Sequence, residues 1–184
     1  MIISLSGKKR SGKSTVAKHL TNKGWWEVSW AYPLKEVIGK QLFGLSYEQM
    51  YGSMQYKEAI ISEWGLSPRQ ILQVVGTDLF RRYICDDFWV RIGIRKIKEL
   101  QEKNPNLNIV ISDTRFLNEA DAIKTLGGHL VWLHRENNPY SNDNHPSETA
   151  LDDYKGWNLL MFAADNELDL LKDGIDRYIQ RTEK

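Results

Sequence analysis

Met1-Ile-Ile-Ser-Leu-Ser-Gly-Lys-Lys-Arg-Ser-Gly-Lys-Ser-Thr15 decides how the rest of the chain is read. Ile2, Ile3 and Leu5 form a short apolar run that predicts a buried strand, and Val16, Ala17 and Leu20 follow at helical spacing. Between them, Gly7-x-x-x-x-Gly12-Lys13-Ser14 is a full phosphate-binding loop in the strand–loop–helix setting that such a motif needs. Glycines let the backbone curl until successive N–H groups point inward, which makes an anion cradle at a helix N-terminus. The pattern predicts that Lys13 reaches the β- and γ-phosphates of a nucleoside triphosphate and that the Ser14 hydroxyl holds Mg²⁺. The candidate triphosphate residues are Gly7, Lys9, Arg10, Ser11, Gly12, Lys13, Ser14 and Thr15.

Beyond the loop, strands and helices alternate. Strands are expected over about 2–6, 26–31, 108–113, 129–134 and 158–164. Helices are expected over 13–23, 34–42 with Gly44 as a stop, 68–85, 86–103, 117–126 and 167–181. Leu34, Val37, Ile38 and Leu42 would share one helix face, and Ile71, Leu72, Val75 and Leu79 another. Ser67-Pro68 opens its helix with a cap and a proline at the first helical position. In 45–67, Ser46 is expected to start a helix and Gly65 to end a second. The order implies an α/β fold: a central parallel sheet of about five strands with helices on both faces. One domain over 1–184 is expected, with a lid over about 135–148, since so long a polar loop in a compact domain is often a binding segment.

Composition narrows the class. The 25 basic and 24 acidic residues leave a formal charge of +1, which does not suggest a coat for nucleic acid or a membrane surface. The lone Cys85 cannot form an internal disulfide and reads as a small buried filler in a reducing compartment. No apolar run approaches the ~18 residues of a membrane span. With the loop starting at Gly7, no targeting segment is expected ahead of it, and a cytoplasmic protein is expected.

The loop alone does not choose a reaction, but three other segments narrow it. The Asn-Lys-x-Asp guanine-reading motif is missing from the sequence, and the chain is short for a motor, which favours a kinase for a small acceptor. Asp113 ends an apolar strand, where it either binds a metal-bound water or orients an acceptor, or simply closes a turn. Arg115, two residues on, would face the same cleft. Arg69, Gln73, Gly76 and Thr77 recur at intervals that share a helix face, suited to a phosphate and a base edge unless the face is merely solvated. Trp89 either stacks on a base or sits in the core. Arg135 follows a strand as a lid arginine would. In His145-Pro-Ser-Glu148, His145 has no ligand-spaced Cys or His partners, so a loop hydrogen-bonding role or a helix start is expected there.

Four pieces together resemble the phage-type deoxynucleoside monophosphate kinase family: Ser6-Gly-Lys-Lys-Arg-Ser-Gly-Lys13, Gln73-Val-Val-Gly-Thr-Asp78 with Arg81/Arg82, Ser112-Asp-Thr-Arg-Phe-Leu-Asn-Glu119, and His145-Pro-Ser-Glu148. The resemblance implies a P-loop kinase that uses ATP and Mg²⁺ to phosphorylate a deoxynucleoside monophosphate, in the host cytoplasm if viral. It further implies that Lys9, Arg10 and Lys13 handle the triphosphate; together with the strand-end positions of Asp113 and Arg135, the expected catalytic set is Arg10, Lys13, Asp113 and Arg135. Lys35, Arg69, Gln73, Thr77, Arg81, Arg82, Trp89 and Arg115 would surround the monophosphate, without a choice between Arg81 and Arg82. Ser14 and Asp113 would meet the metal. Ser14 departs from the Asp expected in many members, which shifts acceptor placement onto Asp113. Partners would be small molecules and, as in related enzymes, a second copy in a homodimer. Rival readings are a phosphomevalonate kinase and a non-kinase nucleotide-dependent binding protein.

Overall fold

In the computed structural model of the protein, residues 1–136, 138, 144–164 and 167–183 are described. Of the expected lid over 135–148, residues 137 and 139–143 therefore lie outside the described residues. The chain divides into two compact units, Met1–Ser29 with Gly93–Lys184, and Trp30–Ile92.

The first unit is a parallel sheet of strands β1 (Ile2–Ser6), β2 (Trp26–Val28), β3 (Ile109–Ile111), β4 (His129–Arg135) and β5 (Leu159–Ala163), in the order β2-β3-β1-β4-β5. Every residue of β1 is buried, because a strand covered on both faces is an apolar run rather than an alternation. β1 lies between β3 and β4, with Ser4 opposite both Ile111 and Leu130. Three neighbouring strands thus release their carboxyl ends side by side: β1 into the phosphate loop, β3 into Asp113–Arg115, and β4 at Arg135. In an open α/β sheet that edge is where ligands bind. Helices α1 (Lys13–Thr21) and α8 (Leu168–Thr182) bury Val16, Ala17, Leu20, Leu171 and Ile175 against Ile3, Leu5, Val131 and Leu133. Here α6 (Leu117–Thr125) precedes β4, and the four-residue α7 (Pro146–Thr149) precedes β5. β2 stops at Val28, short of the expected Ala31.

The second unit is helical: π1 (Leu34–Leu42), α2 (Tyr47–Tyr51), α3 (Met54–Glu58), α4 (Pro68–Gln73) and π2 (Val74–Ile84), then the start of α5 (Phe88–Lys103). Two capping boxes set α2 and α4: Ser46 accepts from the Gln49 amide and Ser67 from the Gln70 amide, and each glutamine reaches back to its cap. The second helix of 45–67 ends at Glu58 rather than at Gly65, which sits at φ +63° in a turn closed by the Ile61–Leu66 bridge. Leu45, Met50 and Ile71 form this unit's small core.

The main correction concerns winding. Residues 34–42 and 74–84 are π-helices, not the α-helices expected: Phe43 donates its N–H to Ile38, and Cys85 to Phe80, each five residues back. A wider turn moves the inward face onto a spacing of five. The buried pairs are Leu34 with Gly39 and Gly76 with Arg81. Three residues placed inward by α spacing consequently emerge, with Val37 51% exposed, Leu42 69% and Leu79 47%. Cys85, at the end of π2, is half-buried rather than a core filler.

Candidate active site

The phosphate loop is built on backbone that side chains resist. Gly7 has φ +132° and Gly12 φ +101°, and Arg10 adopts the left-handed region at φ +63°. A Cβ on Gly7 would fall 2.2 Å from the Leu133 carbonyl oxygen, and one on Gly12 would fall 2.5 Å from Leu171 Cδ1. The loop is therefore pressed between β4 and α8. Its lower turn closes by Ser11 N–H to Lys8 O at 3.1 Å, and Gly12 O accepts from Thr15 and Val16 at 3.0 Å as α1 begins.

Lys13 does not extend outward in this structure. Its ammonium donates to Gly7 O at 2.6 Å and Lys8 O at 2.7 Å, lying back over the loop that it is expected to serve. Ser14, one residue into α1, is exposed. Arg135 Nη1 approaches Arg10 O at 3.5 Å, and Asn138 Nδ2 donates to Lys9 O at 2.7 Å. Arg135 and Asn138 thus reach the crown of the loop. Asp113 accepts from Ser29 Oγ at 2.7 Å, which holds its carboxylate at the end of β3.

Glu148 joins these parts. Its side chain is 1% exposed; Oε2 accepts the Lys9 backbone N–H at 3.0 Å, and Oε1 pairs with Arg115 Nη1. Its main-chain oxygen takes Lys8 Nζ at 2.6 Å, and Lys8 also pairs with Asp152. Burial alone would push the Glu148 carboxyl up, but the Arg115 and Lys13 charges and the Lys9 amide hold it below the ordinary carboxylate range. Burial opposes the Arg115 charge as well, yet Glu148, Asp113 and Glu119 raise its affinity for the proton. Glu119 fixes the backbone of the same arginine, accepting from the Arg115 N–H at 2.7 Å and the Phe116 N–H at 3.1 Å. His145 caps α7 through Nδ1, which accepts the Ser147 N–H at 3.2 Å. The first unit therefore gathers Lys9, Arg10, Lys13, Asp113, Arg115 and Arg135.

The other candidates lie in the second unit. Arg69 Nε stands 3.6 Å from Glu58 Oε1. Arg81 is buried and donates to the Asp86 carbonyl at 2.8 Å, whereas Arg82 is exposed above the Tyr83 ring. Lys35 Nζ sits 4.4 Å from the centre of the Tyr51 ring, whose hydroxyl donates to Glu36; burial and that carboxylate raise the phenol's pKa. Gln73 and Thr77 are half-buried. Trp89 is 6% exposed, donates its indole N–H to Gly76 O at 2.8 Å, and packs against Phe80 and Phe88.

Sequence reasoning passed over Glu148, Glu119, Lys8, Ser29 and Asn138 as site residues. Glu119 was findable, since a glutamate three residues after Phe116 at a helix start reaches back to free amides. Glu148 was not, because its partners lie 139 and 33 residues away in sequence.

The deoxynucleotide monophosphate kinase family model matches residues 41–175, a stretch that begins after the phosphate loop. A protein of Acanthamoeba polyphaga mimivirus with the provisional name deoxynucleotide monophosphate kinase is 42% identical over 173 residues, covering 88% of this chain and 87% of that one. Among solved structures, dephospho-CoA kinase from Campylobacter jejuni superposes with a TM-score of 0.56 at 14% identity, covering 98% of this chain and 96% of that one. TT1252 from Thermus thermophilus gives 0.54 at 16% identity, covering 98% and 97%. At such identities these two structures establish the shared fold.

Proposed function

The chain belongs to the deoxynucleotide monophosphate kinase family, and on that premise we propose how its residues divide the work of moving the γ-phosphoryl group of ATP to a deoxynucleoside monophosphate. As a kinase of this family it acts on small-molecule substrates and uses ATP; none of the helices among the described residues is long and apolar enough to cross a membrane. The observation that carries the assignment is Gly7, whose φ and lack of room for a Cβ suit a backbone cradle for phosphates. In this reading Gly7 to Thr15 hold the triphosphate through backbone N–H groups. Lys13 exchanges its two loop carbonyls for the β- and γ-phosphate oxygens.

The acceptor oxygen is already anionic, so no strong general base is required. The work is alignment and charge neutralisation. Lys13, Arg10 and Arg135 supply positive charge around the γ-phosphoryl group, and a lid arginine of this kind can be worth about 10³–10⁵ in rate. Asp113, braced by Ser29, orients the acceptor. Arg115 meets the acceptor phosphate, and Lys35, Arg69, Gln73, Thr77 and Arg82 form a second set of acceptor candidates. Trp89, bound to Gly76 and flanked by Phe80 and Phe88, shapes that second set from within the packing.

The donor atoms fit Mg²⁺. The Ser14 hydroxyl and the Asp113 carboxylate are hard oxygens, and no group of three or more His, Cys, Asp or Glu among the described residues would hold a metal unaided. The remaining ligands would be phosphate oxygens and water, and the bound ion would neutralise charge on the phosphates.

The test is a coupled ADP-release assay with ATP, Mg²⁺ and each of dAMP, dCMP, dGMP and dTMP, with mevalonate phosphate and no acceptor as controls. Release that depends on at least one deoxynucleotide is expected. Release with mevalonate phosphate alone, or equal slow release in every tube, would overturn the reading.

A further inference from the structure

Glu148 has no part in the chemistry described above, yet it is among the most constrained side chains of the first unit. A carboxylate taken out of water is costly unless charge and hydrogen bonds replace its hydration. Both its oxygens are used: Oε2 on the Lys9 N–H, inside the phosphate loop, and Oε1 on Arg115 Nη1. Its main-chain oxygen takes a third contact, from Lys8 Nζ. At the other end of the arginine, Glu119 holds the Arg115 and Phe116 amides. Arg115 is thus fixed at its backbone by one buried acid and at its guanidinium by another. Its Nη1 carries the bonds to Glu148 and to Ser147 O, while Nε and Nη2 have no hydrogen-bond partner among the described residues. A fork held by one nitrogen, with no partner at the other two among the described residues, is suited to receive a phosphate.

We propose that Glu148 is a positioning residue for phosphoryl transfer: its one carboxylate ties the Arg115 guanidinium to the backbone of the phosphate loop, so that the acceptor-side cation is set relative to the donor-side cradle. This rests on the reading that Arg115 meets the acceptor phosphate. The Pro146–Thr149 turn is then the mount for the tie, and His145 caps that mount.

The experiment is a cycle of Glu148→Gln, Arg115→Ala and the double variant in the full chain. Steady-state constants would be measured with ATP and the accepted deoxynucleotide each varied, together with calorimetric binding of a non-hydrolysable ATP analogue. Glutamine keeps an acceptor for the Lys9 N–H but loses the charge that holds Arg115. The expected result is an acceptor KM raised about tenfold or more with analogue affinity changed less than about threefold, and little further effect of Glu148→Gln once Arg115 is alanine. If Glu148→Gln fails to fold, Glu148→Asp serves, since a carboxylate one methylene shorter cannot span both partners and should give the same split more weakly. Additive effects, equal shifts for both nucleotides, or an acceptor KM unmoved by Arg115→Ala would overturn the proposal while the kinase reading stands. A wild-type protein inactive with every deoxynucleotide would overturn both.

Discussion

At Gly7 a Cβ would meet the carbonyl oxygen of Leu133 at 2.2 Å, whereas at Gly76 it would meet the tip of the Leu34 side chain at 2.5 Å. Both glycines permit close approach, but the neighbours differ in what they can yield. The Gly7 contact is backbone against backbone at a φ that only glycine adopts freely. The Gly76 contact is a helical residue against a flexible methyl group, at the place where π2 approaches π1. The phosphate loop is thus specified by main-chain geometry and closed by buried charge. The π-helices are specified by side-chain packing at an unusual pitch, and packing can adjust.

The most severe test of that contrast is Lys13→Ala. It should lower kcat by about 10²–10³ while leaving the melting temperature nearly unchanged. A large fall in melting temperature would instead make Lys13 a brace for the loop, since its ammonium donates to Gly7 and Lys8 carbonyls. Gly7→Ala comes next. Strain and the carbonyl clash should cost on the order of 3 kcal/mol or more, lower Tm by roughly 6–12 °C, and remove triphosphate binding, as read by thermal scanning and calorimetry. Gly76→Ala should cost only about 1–2 kcal/mol, or roughly 2–8 °C, with triphosphate binding kept. If the two alanines cost the same, the distinction between backbone and side-chain neighbours fails.

The smallest effect concerns acid. Because the Glu148 carboxyl is held below its ordinary value, its pairing stabilises the fold fully above the ordinary carboxylate range and is lost as pH falls through the lowered one. Below about pH 5 the wild-type melting curve should therefore drop more steeply than that of Glu148→Gln, and the two should converge. Curves that stay parallel would place the acid sensitivity elsewhere, with Asp176 the next carboxyl to examine. Burial raises its pKa, but bonds from Lys23 and His19 lower it overall.

How far the sequence can be read follows the same divide. The loop's backbone was legible in the sequence, because two of its positive φ angles fall at Gly7 and Gly12, the glycines of the motif. The five strands were found, most plainly β3, a covered parallel strand that reads as the uninterrupted apolar run Ile109–Ile111. Winding was not legible. Leu34, Val37, Ile38 and Leu42 fit an α-helical face, and only packing shows that Leu34 and Gly39 are the inward pair. The hub at Glu148 was equally hidden, since its contacts cross most of the chain and an acid at the start of a short helix also suits a plain N-terminal turn. Arg115 could be chosen as a site residue, but not its tie to the loop.

The five-residue spacing of Gly76 and Arg81 also bears on how relatives should be aligned. A π-turn consumes more chain than an α-turn to return to the same side of a helix. A relative that is α-wound at this place needs one residue fewer between the glycine and the arginine, although both helices present the same two positions inward. The gap belongs inside the helix, between those two residues, and an alignment that moves it into the following loop would pair Arg81 with the wrong neighbour.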